Sequence, residues 1–373
     1  MVPRLPPVRR PVRRPPATSD MSNPQPIPVA VLGATGLVGQ RLLRRLVRHP
    51  WFRLAEVSAS DRSVGRQIGE RVPRQVVDWV GAEAASLRLQ PMEAGFVSPL
   101  ILSALPSSAA REVEPRLVEA GHRVVSNAST FRADPAVPLI IPEINPDHLE
   151  LLDPGAGGLV TNPNCAVAPL ALALAPLHRA FGIRSVVATT FQAVSGAGRG
   201  GPTHLELSDN VLPVIPGEEE KVEREVQKLL GATAGAVVES AAFPLSATTT
   251  RVPVLHGHMV DLSVGFARPV DRGAAVEAMR AFDPGPALPS LPRPPLRLTE
   301  DPTRPQPRLD RDLGDGMAVT VGRVRACQVH DIRMMVLAHN LERGAAGAAL
   351  ANAELCAARG WIPGVEGLRE GAA

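Results

Sequence analysis

The sequence predicts an α/β fold in two parts: a Rossmann-type, doubly wound dinucleotide-binding domain, and an α+β domain with a mixed, largely antiparallel sheet. Three observations support this prediction. An apolar strand at residues 27–32 leads through a glycine-rich turn into a helix. Strand and helix patterns then alternate to about residue 160, as they do in parallel sheets. Beyond that point the segments become β-rich, and 373 residues exceed what one hydrophobic core usually supports.

Composition and charge restrict the class of protein. Five arginines and one aspartate give residues 1–20 a net charge of +4, so the remaining 353 residues carry −1. We predict a disordered Pro/Arg-rich tail at residues 1–26 and no nucleic-acid partner. No apolar run approaches the ~20 residues of a membrane span, so no membrane partner is predicted. Three widely spaced cysteines support neither a disulfide framework nor a metal site, and they favour a cytoplasmic location.

The glycine-rich turn has the form Gly33-Ala34-Thr35-Gly36-Leu37-Val38-Gly39 and precedes a predicted helix from Gln40 to Arg48. This is a Gly-x-x-Gly-x-x-Gly variant of the dinucleotide-binding βα unit. Its first glycines allow a tight turn and close approach of a phosphate, and the helix N-terminus faces the pyrophosphate. Three glycines alone are a weak signal, but their place between a strand and a helix predicts a dinucleotide site.

The residues after the next predicted strand, Leu54–Ser58, bear on the choice between NAD and NADP. Asp61 there favours the ribose hydroxyls of NAD, whereas Arg62, with Ser63 beside it, favours the 2′-phosphate of NADP. We predict NADP. The alternative is a solvated turn that makes no cofactor contact.

Further strand and helix units follow, with strands predicted at residues 97–104 and 123–126 and a helix at 111–120. Ligands of such sheets bind at the carboxyl ends of the strands. Arg132 follows the second of these strands closely, so we expect its side chain in the crevice. The alternative for a single arginine is an exposed surface position.

The second half of the chain has a different texture. Strands are predicted at 185–193, 251–254, 260–266, 317–324 and 332–337, helices at 218–230 and 340–359, and a Pro-rich connection at 283–312. Pro253 indicates that its strand is an edge strand or an irregular one. These patterns predict a mixed sheet that leans towards antiparallel pairing.

Cys165 follows the segment Thr161-Asn162-Pro163-Asn164. Pro163 disfavours helical backbone at the preceding residue, so the chain arrives extended. The Ala/Leu-rich stretch from Cys165 to His178 then predicts a buried helix. A cysteine in the first turn of a helix lies among unpaired N–H groups at the positive end of the dipole, which favours a thiolate nucleophile. The alternative is a small buried cysteine that only packs.

A cysteine nucleophile, a nicotinamide fold and a histidine together predict acyl transfer coupled to hydride transfer. His258 is the candidate base, because an unperturbed imidazole pKa near ~6.5 suits proton transfer at neutral pH. His256 is a close competitor from chemistry alone, since both side chains would face the same side of a strand.

Six motifs occur in the order seen in aspartate-semialdehyde dehydrogenases: residues 33–39, 126–132, 161–165, 191–198, 217–221 and 251–258. The chain most resembles the archaeal and fungal branch of that family, because of three further motifs at residues 209–211, 304–310 and 340–347. The resemblance covers about residues 27–361. An ordered set of this size is specific to the family.

The resemblance implies a role for each matching residue. Catalysis is assigned to the acyl-thioester nucleophile Cys165, the general acid/base His258 and Gln192, which orients the thioester carbonyl. The resemblance thus decides between the two histidines. The implied substrate ligands are Arg251 for the α-carboxylate, Glu218 for the amino group, and Arg132 and Lys221 for the phosphate. For Glu218 and Lys221 the alternative is an ordinary exposed helix face.

The implied contacts to NADP are Gly33, Thr35, Gly36, Leu37, Val38, Arg62, Ser63, Ser195, Gly196 and Asn340. One departure affects this set, because relatives often carry Ser-Ala-Gly-Lys where this chain has Ser63-Val64-Gly65-Arg66. The resemblance also implies an NADP-binding domain at 27–160, completed by a C-terminal helix within 341–373. Residues 161–340 would form the catalytic and dimerisation domain of a homodimer or homotetramer.

The expected activity is the NADP-dependent, reversible reductive dephosphorylation of L-aspartyl 4-phosphate to L-aspartate 4-semialdehyde, on the route to lysine, methionine and threonine. Three alternatives stay open. A reductase of N-acetyl-glutamyl phosphate shares the chemistry, although its relatives favour glycine where this chain has Asn164. A malonyl-CoA reductase would show the same cysteine, histidine and cofactor loop. A non-catalytic paralogue would have lost the nucleophile or the base, and this chain keeps both.

Overall fold

The structure is a computed structural model that describes residues 25–93, 95–198 and 200–368. The predicted disordered tail, apart from residues 25 and 26, lies outside the described residues, as do the last five residues of the predicted C-terminal segment.

The first half of the chain forms a parallel sheet, as predicted. Its strands are β1 (Ile27–Leu32), β2 (Phe52–Ser58), β3 (Leu89–Gln90), β4 (Leu100–Ser103), β5 (Arg123–Ser126) and β6 (Gly158–Thr161). Their order is β3-β2-β1-β4-β5-β6, and every pair is parallel. The direction of winding reverses between β1 and β4, and ligands of doubly wound sheets bind at the carboxyl edge of that point.

Helices cover both faces of this sheet: α1 (Leu37–Leu46), α2 (Arg74–Ser86) and α3 (Ser107–Glu119). The residues of β1 alternate between the two sides. Val29 and Val31 pack with Leu42 of α1, whereas Ala30 and Leu32 pack with the cluster that contains α3. Each strand therefore contributes to two apolar layers, which explains its continuous apolar sequence.

The second half of the chain forms a mixed sheet with helices between its strands. The elements in chain order are α4 (Val167–Phe181), β7 (Ile183–Gln192), α5 (His204–Leu207), α6 (Glu219–Leu229), β8 (Ala232–Ala234), β9 (Val237–Glu239), β10 (Leu245–Arg251), β11 (His258–Phe266), α7 (Arg272–Arg280), β12 (Leu296–Thr299), α8 (Pro307–Asp310), β13 (Val319–Ala326) and β14 (Ile332–Ala338).

The second sheet has the order β10-β7-β11-β14-β13-β12. Its three central pairings are antiparallel, and its two outer ones, β10 with β7 and β12 with β13, are parallel. The α/β class with a second mixed sheet is thus confirmed. The predicted strand at residues 251–254 is wrong, because β10 ends at Arg251; Pro253 follows it in a loop, where no ladder donor is needed.

One face of this sheet is covered and the other is open. Helices α4, α6 and α7 pack against the covered face, and every residue of α4 from Val167 to Leu177 is buried. The opposite face carries half-buried side chains, among them Phe191, Met259 and Met335. We call this second surface the open face.

The chain returns to the first sheet at its end. A five-residue π-helix, Glu342–Ala346, continues into α9 (Gly347–Ala358), whose buried residues pack with the core that contains β1. No helix in the described part of the chain is long and apolar enough to cross a membrane.

Candidate active site

A cleft of about 630 Å³ lies where the two sheets meet. Loops from both halves of the chain line it, since they follow β1, β4, β5, β6 and β7. Ten residues that the sequence singled out lie along this cleft: Gly36, Leu37, Val38, Arg132, Cys165, Ser195, Gly196, Glu218, Lys221 and Asn340.

The cysteine and one of the two candidate histidines are in direct contact. The Sγ of Cys165 lies 3.2 Å from Nε2 of His258, although the two residues are 93 positions apart. His256 does not share this position. It precedes β11, and Gly257, with φ of +99°, turns the chain between the two histidines. His256 is therefore not in a strand, so the spacing that would place both rings on one side of a strand does not apply.

The backbone of Ala193 determines which nitrogen of His258 carries the proton. Its N–H donates to Nδ1 of His258 over 3.0 Å. A backbone N–H can only donate, so Nδ1 must be the acceptor, and the neutral ring carries its proton on Nε2. The site therefore presents an N–H donor, and not a lone pair, towards the sulfur.

Burial keeps both members of this pair neutral. It raises the pKa of the Cys165 thiol to about 12, helped by the negative charge of Glu218, while Arg132 and Arg251 act in the opposite direction. Burial also lowers the pKa of His258 to about 3, and the positive charge of Arg251 adds to this effect. A thiol and a neutral imidazole thus face each other in the free protein.

The predicted position of Cys165 in the first helical turn needs correction. Helix α4 begins at Val167 with Ala166 as its N-cap, so Cys165 precedes the helix. The carbonyl oxygen of the Asn164 side chain accepts from the N–H of Ala166 over 2.8 Å, which uses one donor of the helix end. The helix dipole therefore does not make Cys165 a thiolate, because desolvation outweighs it.

A group of buried polar side chains surrounds the pair. Glu218 accepts from the side-chain amides of Asn164, over 2.8 Å, and Gln192, over 3.4 Å. Arg251 donates to the carbonyl of Ala193 over 2.9 Å and lies 3.5 Å from Oε1 of Gln192. The structure thus gathers Gln192, Glu218 and Arg251, which the sequence keeps up to 59 positions apart, near Cys165.

Arg132 and Lys221 border the cleft on one side. Lys221 lies 3.6 Å from Glu218, the residue that precedes it by three on the same helical face. Arg132 is buried and donates to the carbonyl of Asn127 over 2.7 Å and to Glu225 over 3.2 Å. Two cations at one end of a cleft favour an anionic ligand there.

The glycine turn fits a dinucleotide. At Gly33, which has φ of +68°, an added Cβ would lie 2.7 Å from the carbonyl oxygen of Ala104. At Gly39 it would lie 2.2 Å from the carbonyl oxygen of Gly33, so glycine lets α1 pack against the loop. Gly36 caps α1 without a side-chain bond, which leaves the N-terminal N–H groups of the helix for a phosphate.

Two more of the predicted cofactor residues are joined across the cleft. The amide of Asn340 donates to Oγ of Ser195 over 2.9 Å, and its oxygen accepts from the N–H of Gly257 over 2.9 Å. His256 contacts the same hydroxyl over 2.8 Å. His256 thus contacts the loop after β7.

Arg62 and Ser63 lie after β2 and outside the residues that line the cleft. Arg62 is exposed, but Ser63 is buried and its hydroxyl accepts from Nε of Arg71 over 3.0 Å. The structure therefore brings a second arginine to this turn. Sequence reasoning missed Arg71, because the seven intervening residues carry no motif that points to it.

Three further residues of the site were not identified as such from the sequence. They are Glu225 and Lys228 on α6 and the backbone of Ala193. Glu218, Lys221, Glu225 and Lys228 follow one another at intervals of three or four residues, which is the spacing of one helical face. That spacing was a usable signal for the two side chains. Among the described residues, no group of three or more His, Cys, Asp and Glu side chains is arranged to hold a metal ion.

Two family models match most of this chain. Residues 28–152 match the family model for the NAD binding domain of semialdehyde dehydrogenases, and residues 174–343 match the model for their dimerisation domain. The aspartate-semialdehyde dehydrogenase of Archaeoglobus fulgidus is 46% identical over 337 residues, which cover 88% of this chain and 97% of the relative.

A fungal structure and a second archaeal relative complete the comparison. The crystal structure of the Candida albicans aspartate semialdehyde dehydrogenase with NADP superposes with a TM-score of 0.83 at 33% identity, covering 90% of this chain and 100% of that chain. A Metallosphaera sedula protein named malonyl CoA reductase (NADP) is 36% identical over 348 residues, 89% of this chain and 97% of the relative.

Proposed function

Because the chain belongs to the aspartate-semialdehyde dehydrogenase family, we propose that it converts L-aspartyl 4-phosphate and NADPH reversibly into L-aspartate 4-semialdehyde, NADP and phosphate. The observation that carries this proposal is the contact of 3.2 Å between Cys165 and His258 in a cleft that also holds Glu218. The thiol is the nucleophile, and the acidic side chain matches the substrate's ammonium group.

The first step forms a thioester on Cys165. The sulfur attacks the acyl carbonyl, the bond between that carbon and the phosphate oxygen breaks, and phosphate leaves with the electron pair. The thiol proton ends on the departing phosphate, so atoms and charge balance. Nε2–H of His258 donates to the negative charge that develops on the reacting groups, because Ala193 holds the ring in that tautomer.

The second step releases the aldehyde. When bound, NADPH supplies a hydride to the thioester carbonyl. Nε2–H of His258 would donate a hydrogen bond to the resulting oxyanion, which re-forms its C=O bond as the C–S bond breaks and the sulfur leaves as a thiolate that takes a proton from water. Gln192, buried beside Arg251, orients that carbonyl. Reprotonation of the sulfur restores the neutral pair, which the high thiol pKa favours.

The charges in the cleft support the choice of substrate. Arg251 is the proposed ligand of the α-carboxylate, Glu218 of the ammonium group, and Arg132 with Lys221 of the phosphate. A malonyl thioester brings a carboxylate but no ammonium group, so Glu218 would remain a buried negative charge beside it. We therefore prefer aspartyl phosphate to malonyl-CoA.

NADP is assigned to the carboxyl edge of the first sheet. The turn residues Gly33, Thr35, Gly36, Leu37 and Val38 would hold the pyrophosphate, and Ser195, Gly196 and Asn340 the nicotinamide end. Arg62 would face the 2′-phosphate. The hydroxyl of Ser63 accepts a hydrogen bond from Arg71 over 3.0 Å, so Ser63 would support 2′-phosphate binding by holding Arg71 at this turn.

The wider setting follows from the family. We place the reaction at the branch step towards lysine, methionine and threonine, in the cytoplasm, where the three free cysteines stay reduced. The proposed domain division is 27–160, completed by the last helix, and 161–340. The match to a dimerisation domain supports a homodimer or homotetramer, and we propose that two copies pair through the open face.

The assay that tests this function follows NADP reduction by purified protein given aspartate semialdehyde and phosphate. We expect Cys165→Ala to abolish turnover while the protein keeps its unfolding temperature. Cys327→Ala is the matched control. Cys327 lies between the paired strands β13 and β14 and contacts Ser263, so we expect this variant to retain activity. Unimpaired turnover of Cys165→Ala would refute the mechanism, and better activity with malonyl-CoA would refute the substrate.

A further inference from the structure

Glu225 lies beneath the active-site cleft and makes two contacts that the reaction itself does not require. It is 4% exposed and sits two helical turns after Glu218. Its Oε1 lies 3.2 Å from Nη1 of Arg132, and its Oε2 accepts from the backbone N–H of Asn164 over 2.5 Å. One carboxylate therefore holds both a phosphate-binding arginine and the residue that precedes the nucleophile.

Both terminal nitrogens of the Arg132 guanidinium have a partner within the protein. Nη1 faces Glu225, and Nη2 donates to the carbonyl of Asn127 over 2.7 Å. Its buried Nε has no hydrogen-bond partner in the described part of the chain. A phosphate that binds Arg132 therefore shares this cation with Glu225 and meets the negative charge of Glu225.

We propose that Glu225 is a positioning residue that acts as the internal counter-ion of Arg132 and weakens the hold on phosphate. This inference rests on the proposed function, in which Arg132 binds the phosphate. When phosphate is absent, Glu225 occupies Arg132 and fixes the Asn164 amide, so the nucleophile stays in place. When phosphate forms, Glu225 competes for Arg132 and favours its release.

Weak retention of phosphate has a chemical consequence. A phosphate that stays beside the thioester can attack its carbonyl carbon, break the C–S bond and regenerate the acyl phosphate. Release must therefore outrun this return before the hydride is transferred. A buried carboxylate that reclaims the arginine provides the competition without any movement of the backbone.

The test uses Glu225→Gln in the full chain, because glutamine is isosteric and its oxygen still accepts from Asn164. We expect the KM for inorganic phosphate, measured with NADP and aspartate semialdehyde, to fall about tenfold once the competing charge is gone. The KM for aspartate semialdehyde should stay unchanged. Phosphate should inhibit the reductive reaction more strongly by the same factor, and kcat in that direction should fall.

The matched control is Glu223→Gln. Glu223 lies on the same helix and also accepts from a backbone N–H, that of Ala247 over 3.0 Å, but within the described part of the chain it forms no ion pair with an arginine. Its variant should keep the phosphate KM of the wild type. A rise of both Michaelis constants in Glu225→Gln would indicate mere structural damage and would overturn the proposal, as would an unchanged KM for phosphate.

A measurement on the wild-type protein covers the case in which Glu225→Gln does not fold. In a crystal structure with inorganic phosphate bound, Nη1 of Arg132 should have turned from Glu225 to a phosphate oxygen. Phosphate bound in the cleft with the contact of 3.2 Å intact would overturn the proposal. Failure of the proposed function is distinguishable, since the wild type would then show no phosphate-dependent reduction of NADP.

Discussion

Cys165 is half-buried at the cleft, precedes helix α4 and faces Nε2–H of His258. Two local effects oppose each other at this residue. The start of a helix and two nearby arginines favour the thiolate, but burial and Glu218 favour the thiol. Burial prevails, because the free-energy cost of removing water from a thiolate exceeds the stabilisation that a helix N-terminus gives it. In the free protein Cys165 therefore stays protonated, and in the proposed reaction the departing phosphate accepts its proton.

This balance predicts different pH profiles for two of the cysteines. Since the pKa of Cys165 is raised to about 12, its thiolate fraction should still be increasing with pH at pH 10. The pKa of Cys327 is lowered, chiefly by a hydrogen bond with Ser263, so its alkylation should level off at a lower pH than that of Cys165. Iodoacetamide labelling of the free protein, followed by peptide mass spectrometry, measures both rates. A plateau for Cys165 below pH 9 would contradict the neutral pair.

Among the elements, helix α6 joins the two halves of the site. One face of it carries Glu218, Lys221, Glu225 and Lys228, and the last of these donates to three carbonyl groups, those of Arg132, Asp134 and Val137. Lys228 is buried, which lowers its pKa to about 8. The helix thereby holds the loop that carries Arg132 against the second sheet.

The two lysines of the chain provide a matched test of this role. Lys228→Met should destabilise the protein by about 2–4 kcal/mol, because buried carbonyl groups lose their donor. Lys221→Met, at a half-buried position on the same helix face, should cost less than about 1 kcal/mol while weakening phosphate binding. Urea unfolding followed by circular dichroism gives both values. Equal stabilities of the two variants would show that Lys228 does not hold the loop.

The sequence predicted the type of each of these elements better than the residues at which the helices begin. The strands β1 and β5 begin and end where predicted, since their apolar runs are bounded by clear turn residues. Helices α1 and α3 begin three and four residues earlier than predicted, at Leu37 and Ser107. Neither start has a side-chain cap, so no Ser, Thr, Asp or Asn signal marked it.

At the scale of the whole molecule, the open face of the second sheet remains half-buried in a single copy. Phe191 lies opposite Met259 on neighbouring strands, and Asp261 lies opposite Met335. Arg333 pairs with Asp261 at the edge of these apolar residues. Apolar side chains surrounded by a polar rim are typical of an interface.

The proposed pairing of two copies predicts the effect of a charge placed on this face. Met335→Glu should shift the protein from dimer to monomer at micromolar concentration. Dimerisation would remove water from the two new carboxylates and bring their like charges close together across the symmetry axis. Val237→Glu, at an exposed position of β9 outside the open face, is the control. Sedimentation velocity reads the mass of each variant. If the Met335→Glu protein remained a dimer, the interface would have to lie on another surface.

By itself, the sequence determined the alternation of strands and helices and the glycine turn, and it predicted Cys165 as the nucleophile with a histidine at 256 or 258 as its partner. These are local patterns, or motifs whose order along the chain survives without knowledge of their distances. The family resemblance then favoured His258 over His256, and in the structure the ring in contact with Cys165 is that of His258, whereas His256 contacts Ser195.

Only the tertiary structure decided the state of those residues. The neutral thiol, the Nε2–H tautomer set by Ala193, the hold of Glu225 on Arg132 and the second arginine near Ser63 all depend on contacts between distant parts of the chain. The physical reason is that pKa values and hydrogen-bond partners follow from burial and from neighbours in space. A local pattern specifies which side chains are available, and folding decides what each of them can donate, accept or ionise.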